Sequence, residues 1–168
     1  DQRAPEITKL GGVSGGNYEA VAVDHRRKQQ PIFYVTEDSE FGALRRYMPP
    51  YSQATNEPFT GWDTLHQEGG STSYLQFLDD SRFTWTTNEQ AARNSQAQYY
   101  PNVEGVDFDS ENGELYFVSK KKQVLFVLNL LARTYTASTT KFETLQGGGE
   151  FKQGPDHIAT HGDYLYLT

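Results

Sequence analysis

The sequence predicts an all-β domain with one short helix, and composition, turn residues and an internal repeat support this prediction. The chain has 168 residues, enough for one domain with a single core. Eleven tyrosines and ten phenylalanines against a single methionine favour strands, because flat side chains suit a pleated surface. We therefore expect residues 1–168 to form one β-rich domain.

Three segments of the chain repeat one pattern. Each begins with an acidic residue, continues as a short apolar strand, turns, and returns as a second strand that ends in Thr or Ser. The segments span residues 19–36, 104–119 and 156–168. The second turn contains Asn112-Gly113, a dipeptide typical of two-residue loops in which both residues have positive φ. The repeat predicts three hairpins.

Further strands extend the first two hairpins into four-stranded units of the kind that forms a β-propeller blade. These additional strands are predicted at residues 44–48, 74–78, 124–130 and 133–137. Residues 89–98, which contain three alanines, predict the one helix. Residues 49–70, rich in Pro, Gly, Ser and Thr, predict a long loop or insertion.

The number of repeats predicts an incomplete β-propeller. A closed propeller needs about four to eight blades, whereas this chain supplies two blades and the opening strands of a third. Residues 164–168 stop in mid-strand. Because an unpaired strand edge invites pairing, we expect that the natural protein continues or that another chain covers this edge.

An acidic residue opens the first strand of each repeat: Glu19, Glu104 and Asp156. In a propeller these positions point at the central axis, where three carboxylates would converge. Oxygen ligands of this kind suit Ca²⁺ or Mg²⁺. The alternative is that each carboxylate accepts backbone N–H bonds at the start of its own strand, without a metal. We expect no cofactor, with Ca²⁺ as the exception that this pattern allows.

Seven motifs follow one another along nearly the whole chain. They are residues 18–24 (YEAVAVD), 33–39 (FYVTEDS), 44–49 (LRRYMP), 83–85 (FTW), 92–93 (AR), 103–106 (VEGV) and 154–158 (GPDHI). In this order they resemble the PhoX-type alkaline phosphatases. The resemblance implies a propeller whose axis binds Ca²⁺ and iron and hydrolyses phosphomonoesters, with the metals as Lewis acids.

The resemblance also assigns residues to the metal centre and shows where this chain departs from the family. Glu19, Glu104 and Asp156 match acidic axial positions, and Glu37-Asp38 matches an acidic pair after the strand. The iron-binding cysteine of the family lies in an upstream blade that this sequence lacks, and the chain contains no cysteine. The match is therefore to a partial, degenerate member of the family.

Two functions follow as expectations. The first is a non-catalytic structural or interaction subunit that docks on a larger assembly; by analogy with algal, diatom-type proteins, one such role is an extrinsic subunit of a photosystem complex, peripheral to the thylakoid in the chloroplast. The alternative is the middle fragment of a secreted or periplasmic, Ca/Fe-dependent phosphomonoesterase. The missing cysteine and blades favour the first, so we lean against an enzyme.

The expected partners are protein subunits. Aromatic residues anchor protein interfaces, and five of them are predicted to do so here: Tyr51, Phe59, Trp62, Tyr164 and Tyr166. Arg45 and Arg46 are predicted to add polar contacts at the rim, with the alternative that Arg46 faces its own sheet.

Charge and hydropathy exclude two other classes of partner. The net charge is −7, and basic residues form only short runs, at residues 26–28 and 120–122, so no track for a nucleic acid backbone exists. Both runs are predicted to lie on solvated turns. No apolar stretch approaches the roughly 20 residues of a membrane span, so we expect no transmembrane segment.

Histidines and glycines offer no further site. His157 and His161 are predicted to face solvent, because no third ligand with the spacing of a zinc site accompanies them. The glycine-rich pieces at residues 11–16, 69–70 and 147–149 lack the Lys and Ser/Thr of a P-loop. We expect them to be flexible connectors.

Overall fold

The computed structural model describes residues 10, 16–27, 29–51, 65–66, 69–144, 147–149 and 154–168. Most of this part of the chain is antiparallel strand, and one short helix lies between two of the sheets. The all-β class and the short helix predicted from the sequence are confirmed.

The first sheet has five antiparallel strands in chain order. They are β1 (Tyr18–Asp24), β2 (Ile32–Glu37), β3 (Arg45–Met48), β4 (Ser71–Phe77) and β5 (Phe83–Thr86). Strands β3 and β4 lie where the sequence predicts strands, whereas β5 was not predicted. It is only four residues long, so alternation alone does not reveal it.

The chain between β3 and β4 runs from residue 49 to residue 70, the region predicted as a long loop or insertion. Leu65 within it is buried against Phe33 and Tyr47. This small apolar cluster covers the side of the first sheet near β3. Residues 52–64 and 67–68 lie outside the described residues.

The helix α1 (Glu89–Tyr99) follows β5 and packs against β4. Asn88 caps its first turn, because the side-chain oxygen accepts the Ala91 backbone N–H at 3.1 Å. On the inner face, the hydroxyl of buried Ser95 accepts the backbone N–H of Phe77 at 2.8 Å. Tyr100, just beyond the helix, donates its hydroxyl to the Leu75 carbonyl at 2.7 Å. These bonds dock the helix on the first sheet.

The second sheet has four antiparallel strands in chain order. They are β6 (Val103–Asp109), β7 (Glu114–Ser119), β8 (Val124–Asn129) and β9 (Thr134–Thr139). The expected two-residue loop at Asn112-Gly113 is instead a four-residue turn, because Asp109 pairs with Glu114. Of the two loop residues only Gly113 has a positive φ, of 70°. The Asp109 carboxylate accepts the Glu111 and Asn112 N–H groups and so stabilises the longer turn.

Two short hairpins complete the described chain. In the first, β10 (Phe142–Thr144) pairs with β11 (Gly147–Gly149), so the predicted flexible connector at residues 147–149 is wrong. Here the pairing partner, rather than strand propensity, decides the conformation. In the second, β12 (Ile158–His161) pairs with β13 (Tyr164–Leu167) across a two-residue turn. Gly162 takes the first turn position with φ 56°, as a type II′ turn requires.

The two large sheets share one aromatic core. Phe77 of β4 stacks on Tyr135 of β9 with ring centroids 3.8 Å apart, and Phe117 stacks on Phe126 at 4.9 Å. Tyr100 meets Phe77, Phe117 and Phe126 between the sheets. Stacked and edge-to-face rings of this kind add stability beyond the area that they bury.

Three hairpins, β1–β2, β6–β7 and β12–β13, are called the first, second and third hairpins below; seven, four and two residues separate their last paired residues. The first two share an irregularity at the same place, between Tyr18 and Val21 and between Val103 and Val106. Strand β6 packs against β1 on one side and β12 on the other. Gly105 allows the second contact, because a Cβ there would lie 2.6 Å from the Ile158 nitrogen.

Candidate functional site

The candidate site lies where the second hairpin meets the third, and it consists of Glu104, Lys120 and Asp156. We call these residues the carboxylate–lysine cluster. Glu104 lies at the irregularity of β6, Lys120 directly follows β7, and Asp156 precedes β12. The Lys120 Nζ lies 3.1 Å from Glu104 Oε1 and 2.7 Å from Asp156 Oδ1. One ammonium group thus forms ion pairs with two carboxylates from different hairpins.

The Glu104 carboxylate is the buried member of this cluster, since only 1% of the residue is exposed. Burial raises the pKa of Glu104 above its usual value of 4.5, because a charged carboxylate loses hydration. The ammonium group of Lys120 opposes this effect, whereas the nearby charges of Asp38 and Asp156 reinforce it. Lys120 is therefore the neighbour that favours the charged form of Glu104.

Asp156 and Lys120 hold each other in their charged forms. The hydrogen bond from Lys120 lowers the pKa of Asp156 below its usual 3.8. The hydrogen bond to Asp156 is the main cause that raises the pKa of Lys120, and the carboxylate of Glu104 adds to this effect. A backbone bond runs alongside, because the Gly105 N–H donates to the Asp156 carbonyl at 2.8 Å. The cluster and this bond together join the third hairpin to the second.

Lys120 occupies the position that Asp38 has in the first hairpin. The Asp38 N–H donates to the Asn17 carbonyl at 2.7 Å, and the Lys120 N–H donates to the Asn102 carbonyl at 2.9 Å. Asp38 in turn accepts the Asn102 side-chain amide at 2.9 Å. Each residue therefore bridges one hairpin to the next, although their charges are opposite.

The structure brings together two of the three predicted metal ligands. Glu104 and Asp156 meet through Lys120, while Glu19 is exposed and lies outside this cluster. Within the described ranges, no group of three or more His, Asp and Glu side chains is arranged to hold a metal ion. The ammonium group of Lys120, rather than a metal ion, lies between the two carboxylates. These residues do not fit the Ca²⁺ and iron centre that the family resemblance implies.

Glu37 of the implied acidic pair belongs to a separate ionic network. Its carboxylate accepts the Ala43 N–H at 3.3 Å and lies 3.7 Å from the Arg93 guanidinium. Arg93 also pairs with Glu89, one turn earlier on the helix, at 2.6 Å. Glu37 therefore links the helix to the first sheet.

The two arginines predicted at an interface rim face the first sheet instead. Arg45 is 3% exposed, with its guanidinium over the Tyr74 ring and 3.9 Å from Glu89. Arg46 lies over the Trp85 ring and donates to the Ser73 hydroxyl at 2.9 Å. The rim prediction is wrong for Arg45, and the stated alternative describes Arg46. Both guanidinium groups form cation–π contacts with aromatic rings of their own sheet.

The predicted interface residues divide into two groups. Tyr51, Tyr164 and Tyr166 are exposed, with 70% of Tyr164 and 53% of Tyr166 accessible. Both of the latter stand on β13 with ring centroids 6.5 Å apart. Phe59 and Trp62 lie outside the described residues. His157 and His161 are exposed, and His157 lies 3.6 Å from Asp156.

Sequence reasoning missed Lys120 because the whole basic run was assigned to a solvated turn. Lys121 and Lys122 are exposed, and their ammonium groups contact Glu40 at 2.8 Å and the Gln98 carbonyl at 3.0 Å. Of the three lysines, Lys120 is the one that contacts Glu104 and Asp156. In the structure Lys120 aligns with Asp38, but no feature of the sequence separates it from the two lysines that follow.

Comparison with known proteins adds no family to these observations. No protein-family model matches the chain, and no curated protein matches it significantly. Over the described residues, no helix combines the length and apolar character needed to cross a membrane.

Proposed function

We propose that this chain is an incomplete β-propeller that acts as a non-catalytic interaction subunit and docks on a larger protein assembly. The observation that carries this proposal is the third hairpin, which presents Tyr164 and Tyr166 to solvent on a strand whose only partner in the described sheets is β12. Tyrosines on an open strand edge suit a protein interface.

The propeller part of the proposal is supported by the repeat of the three hairpins. The first two share an irregularity at the same place, and the first strands β1, β6 and β12 of the three hairpins are neighbours in that order. Radial repetition of consecutive sheets about their first strands is the arrangement found in propellers. The Gly105 contact with Ile158 supports the same arrangement at the second boundary.

The non-catalytic part is supported by Lys120. A metal-dependent phosphatase needs its carboxylates free to bind cations, whereas Glu104 and Asp156 are both paired with the ammonium group of Lys120. This ion pair joins two hairpins, which is a structural task.

The assembly that we propose is a photosystem complex of an alga, with the chain as an extrinsic subunit at the thylakoid surface in the chloroplast. This choice rests on analogy with diatom-type proteins. Fractionation of native membranes tests it: the chain should co-purify with photosystem particles and be released by high salt. Recovery with an unrelated complex would replace this assignment and leave the docking role intact.

Docking through the third hairpin is tested by replacing both tyrosines with alanine. Tagged native chain should retain a set of subunits from its source extract, and the Tyr164→Ala/Tyr166→Ala variant should retain several-fold less of the same set. Leu131→Ala is the matched control, because Leu131 is an exposed apolar residue on the turn between β8 and β9. Equal retention by all three proteins would refute docking through this surface.

The second candidate function is the phosphomonoesterase implied by the family resemblance. One observation favours it: the buried Glu104 of the second hairpin lies near Asp38 of the first and Asp156 of the third. The assay is turnover of a chromogenic phosphate ester with added Ca²⁺ and iron. We expect no turnover by the native chain. Turnover that disappears in Glu104→Gln would favour the enzyme instead.

A further inference from the structure

A cleft of about 240 Å³ opens between the turns of the second and third hairpins. The second hairpin contributes Asp109, Glu111 and Tyr116 to its walls, and the third contributes Asp163 and Tyr164. Neither a lysine nor an arginine is among the residues that line it. The cleft is therefore acidic and partly aromatic.

The corresponding place between the first and second hairpins is filled by Arg26. Its guanidinium bonds the Asp24 carboxylate at 2.8 and 2.9 Å and lies 4.8 Å from the centre of the Phe108 ring. A Cβ on Gly113, in the turn of the second hairpin, would meet the same guanidinium at 2.5 Å. At this boundary the chain places its own guanidinium between the two hairpins.

The register aligns the first strands of the first and second hairpins, so one wall of each cleft can be compared directly. Asp24 and Asp109 end the first strands of their hairpins, and each carboxylate accepts the N–H of the residue two positions later, at 3.1 and 2.8 Å. That later residue is Arg26 in the first hairpin and Glu111 in the second. The second cleft thus has a carboxylate where the first has a guanidinium.

Among the described residues, no lysine or arginine takes the place of Arg26 at the second cleft. Asp109 accepts the neutral side-chain amide of Asn112 at 2.7 Å, where Asp24 accepts a guanidinium. Glu111 and Asp163 are exposed and add two further negative charges. A cation from outside the chain would find both the charges and an open volume.

We infer that this cleft binds an arginine side chain supplied by a partner protein. A planar guanidinium bonds carboxylates in pairs and stacks on aromatic rings, and Asp109, Glu111 and Tyr164 offer both kinds of contact. The occupant of the first cleft has the same chemistry. This inference rests on the proposed docking function, since Tyr164 belongs to the same exposed hairpin.

The inference is tested with a small probe that needs no assembly. N-acetyl-arginine amide is titrated into isotope-labelled protein, and the amide signals of Glu111, Asp163 and Tyr164 are followed. These signals should shift and saturate, whereas the neutral analogue N-acetyl-citrulline amide should leave them in place. Glu111→Gln should weaken the affinity about twofold to fivefold, as expected for one exposed carboxylate.

Glu111→Arg provides the sharpest variant, because it supplies the guanidinium from within as Arg26 does. It should abolish the response to the probe. Asp80→Arg makes the same charge change on the exposed turn between β4 and β5, and it should bind the probe like the native protein. Equal shifts with the citrulline analogue, or full binding by Glu111→Arg, would overturn the inference. If the native chain binds the probe but retains no subunits from its source extract, the result would count against the docking proposal alone.

Discussion

The first and second hairpins meet at one boundary, and the second and third meet at another. The two boundaries have similar backbone hydrogen bonds but differ in charge at two positions. Asp38 at the first boundary is replaced by Lys120 at the second, and Arg26 is replaced by Glu111. Compared with the first boundary, the second gains a cation at Lys120 and loses a cation at the turn, where Glu111 replaces Arg26. The repeat therefore conserves hydrogen-bond geometry while the charges change.

This difference separates what joins the hairpins from what distinguishes them. At the first boundary, Arg26 closes the cleft and Asp38 binds a neutral amide. At the second, Lys120 pairs with two carboxylates, while the cleft between the turns remains open and acidic. The second boundary is thus stabilised at its lysine end and available to a partner at its turn end.

The largest effect is expected from Gly105→Val, which tests whether close approach of backbones sets the second boundary. Any side chain at residue 105 would collide with the backbone of His157 and Ile158. We expect a loss of about 3 kcal/mol in the free energy of unfolding, measured in urea. Ala20 has the equivalent position in the first hairpin, and Ala20→Gly should cost less than about 1 kcal/mol. Equal costs would contradict the difference between the boundaries.

Lys120→Met comes next, because it leaves the buried Glu104 without its cation. We expect a loss of about 1–3 kcal/mol in the free energy of unfolding at neutral pH, allowing for the partly exposed ammonium group. Adding Glu104→Gln to this variant should restore part of the loss. Lys121→Met removes an exposed ion pair with Glu40 and should cost under about 1 kcal/mol. A double variant that restores nothing would argue against the cluster.

A smaller effect is expected in the pH dependence of Glu104→Gln. The pKa of Glu104 is raised above its usual 4.5 in the folded protein. Between these two values the folded state binds more protons than the unfolded state, so stability falls as the pH rises. The variant lacks this group, and its unfolding free energy should fall less with pH just above 4.5. Parallel curves for the two proteins would contradict the raised pKa.

The smallest effect is expected from Arg26→Ala. This change removes an ion pair with Asp24 and a cation–π contact with Phe108, which together are worth about 0.5–1 kcal/mol at a half-exposed site. Thermal and urea unfolding would measure it. Arg27→Ala, on the same exposed turn, is the control and should be close to neutral. A similar effect of both variants would show that Arg26 does not fill the first cleft in solution.

The hairpins were predictable because their signals are local. The apolar residues of β6 and β7 and the turn residue Gly113 lie within a few residues of one another, as do those of β12 and β13 and Gly162. The prediction was wrong where partners decide. Gly147–Gly149 forms a strand through pairing with Phe142–Thr144, and the Asp109 carboxylate lengthens the turn at Asn112-Gly113.

The candidate site was predictable in part. Two of its carboxylates, Glu104 and Asp156, were identified from the repeat, and Glu104 does lie buried at a hairpin junction. Their cation was not identified, because Lys120 lies within a run of three lysines whose members are alike in sequence. Lys120 directly follows β7, and in the folded protein this position places its ammonium group beside Glu104 and Asp156.

The sequence by itself determined the β class, the three hairpins and the short helix of this protein, because periodic apolar residues and turn glycines act over short distances. The tertiary structure decided which charges meet. Glu104, Lys120 and Asp156 are up to 52 residues apart in the chain, and Arg26 lies far from Phe108. Their contacts depend on the stacking of hairpins, and electrostatic energy depends on distance in space rather than on separation in sequence.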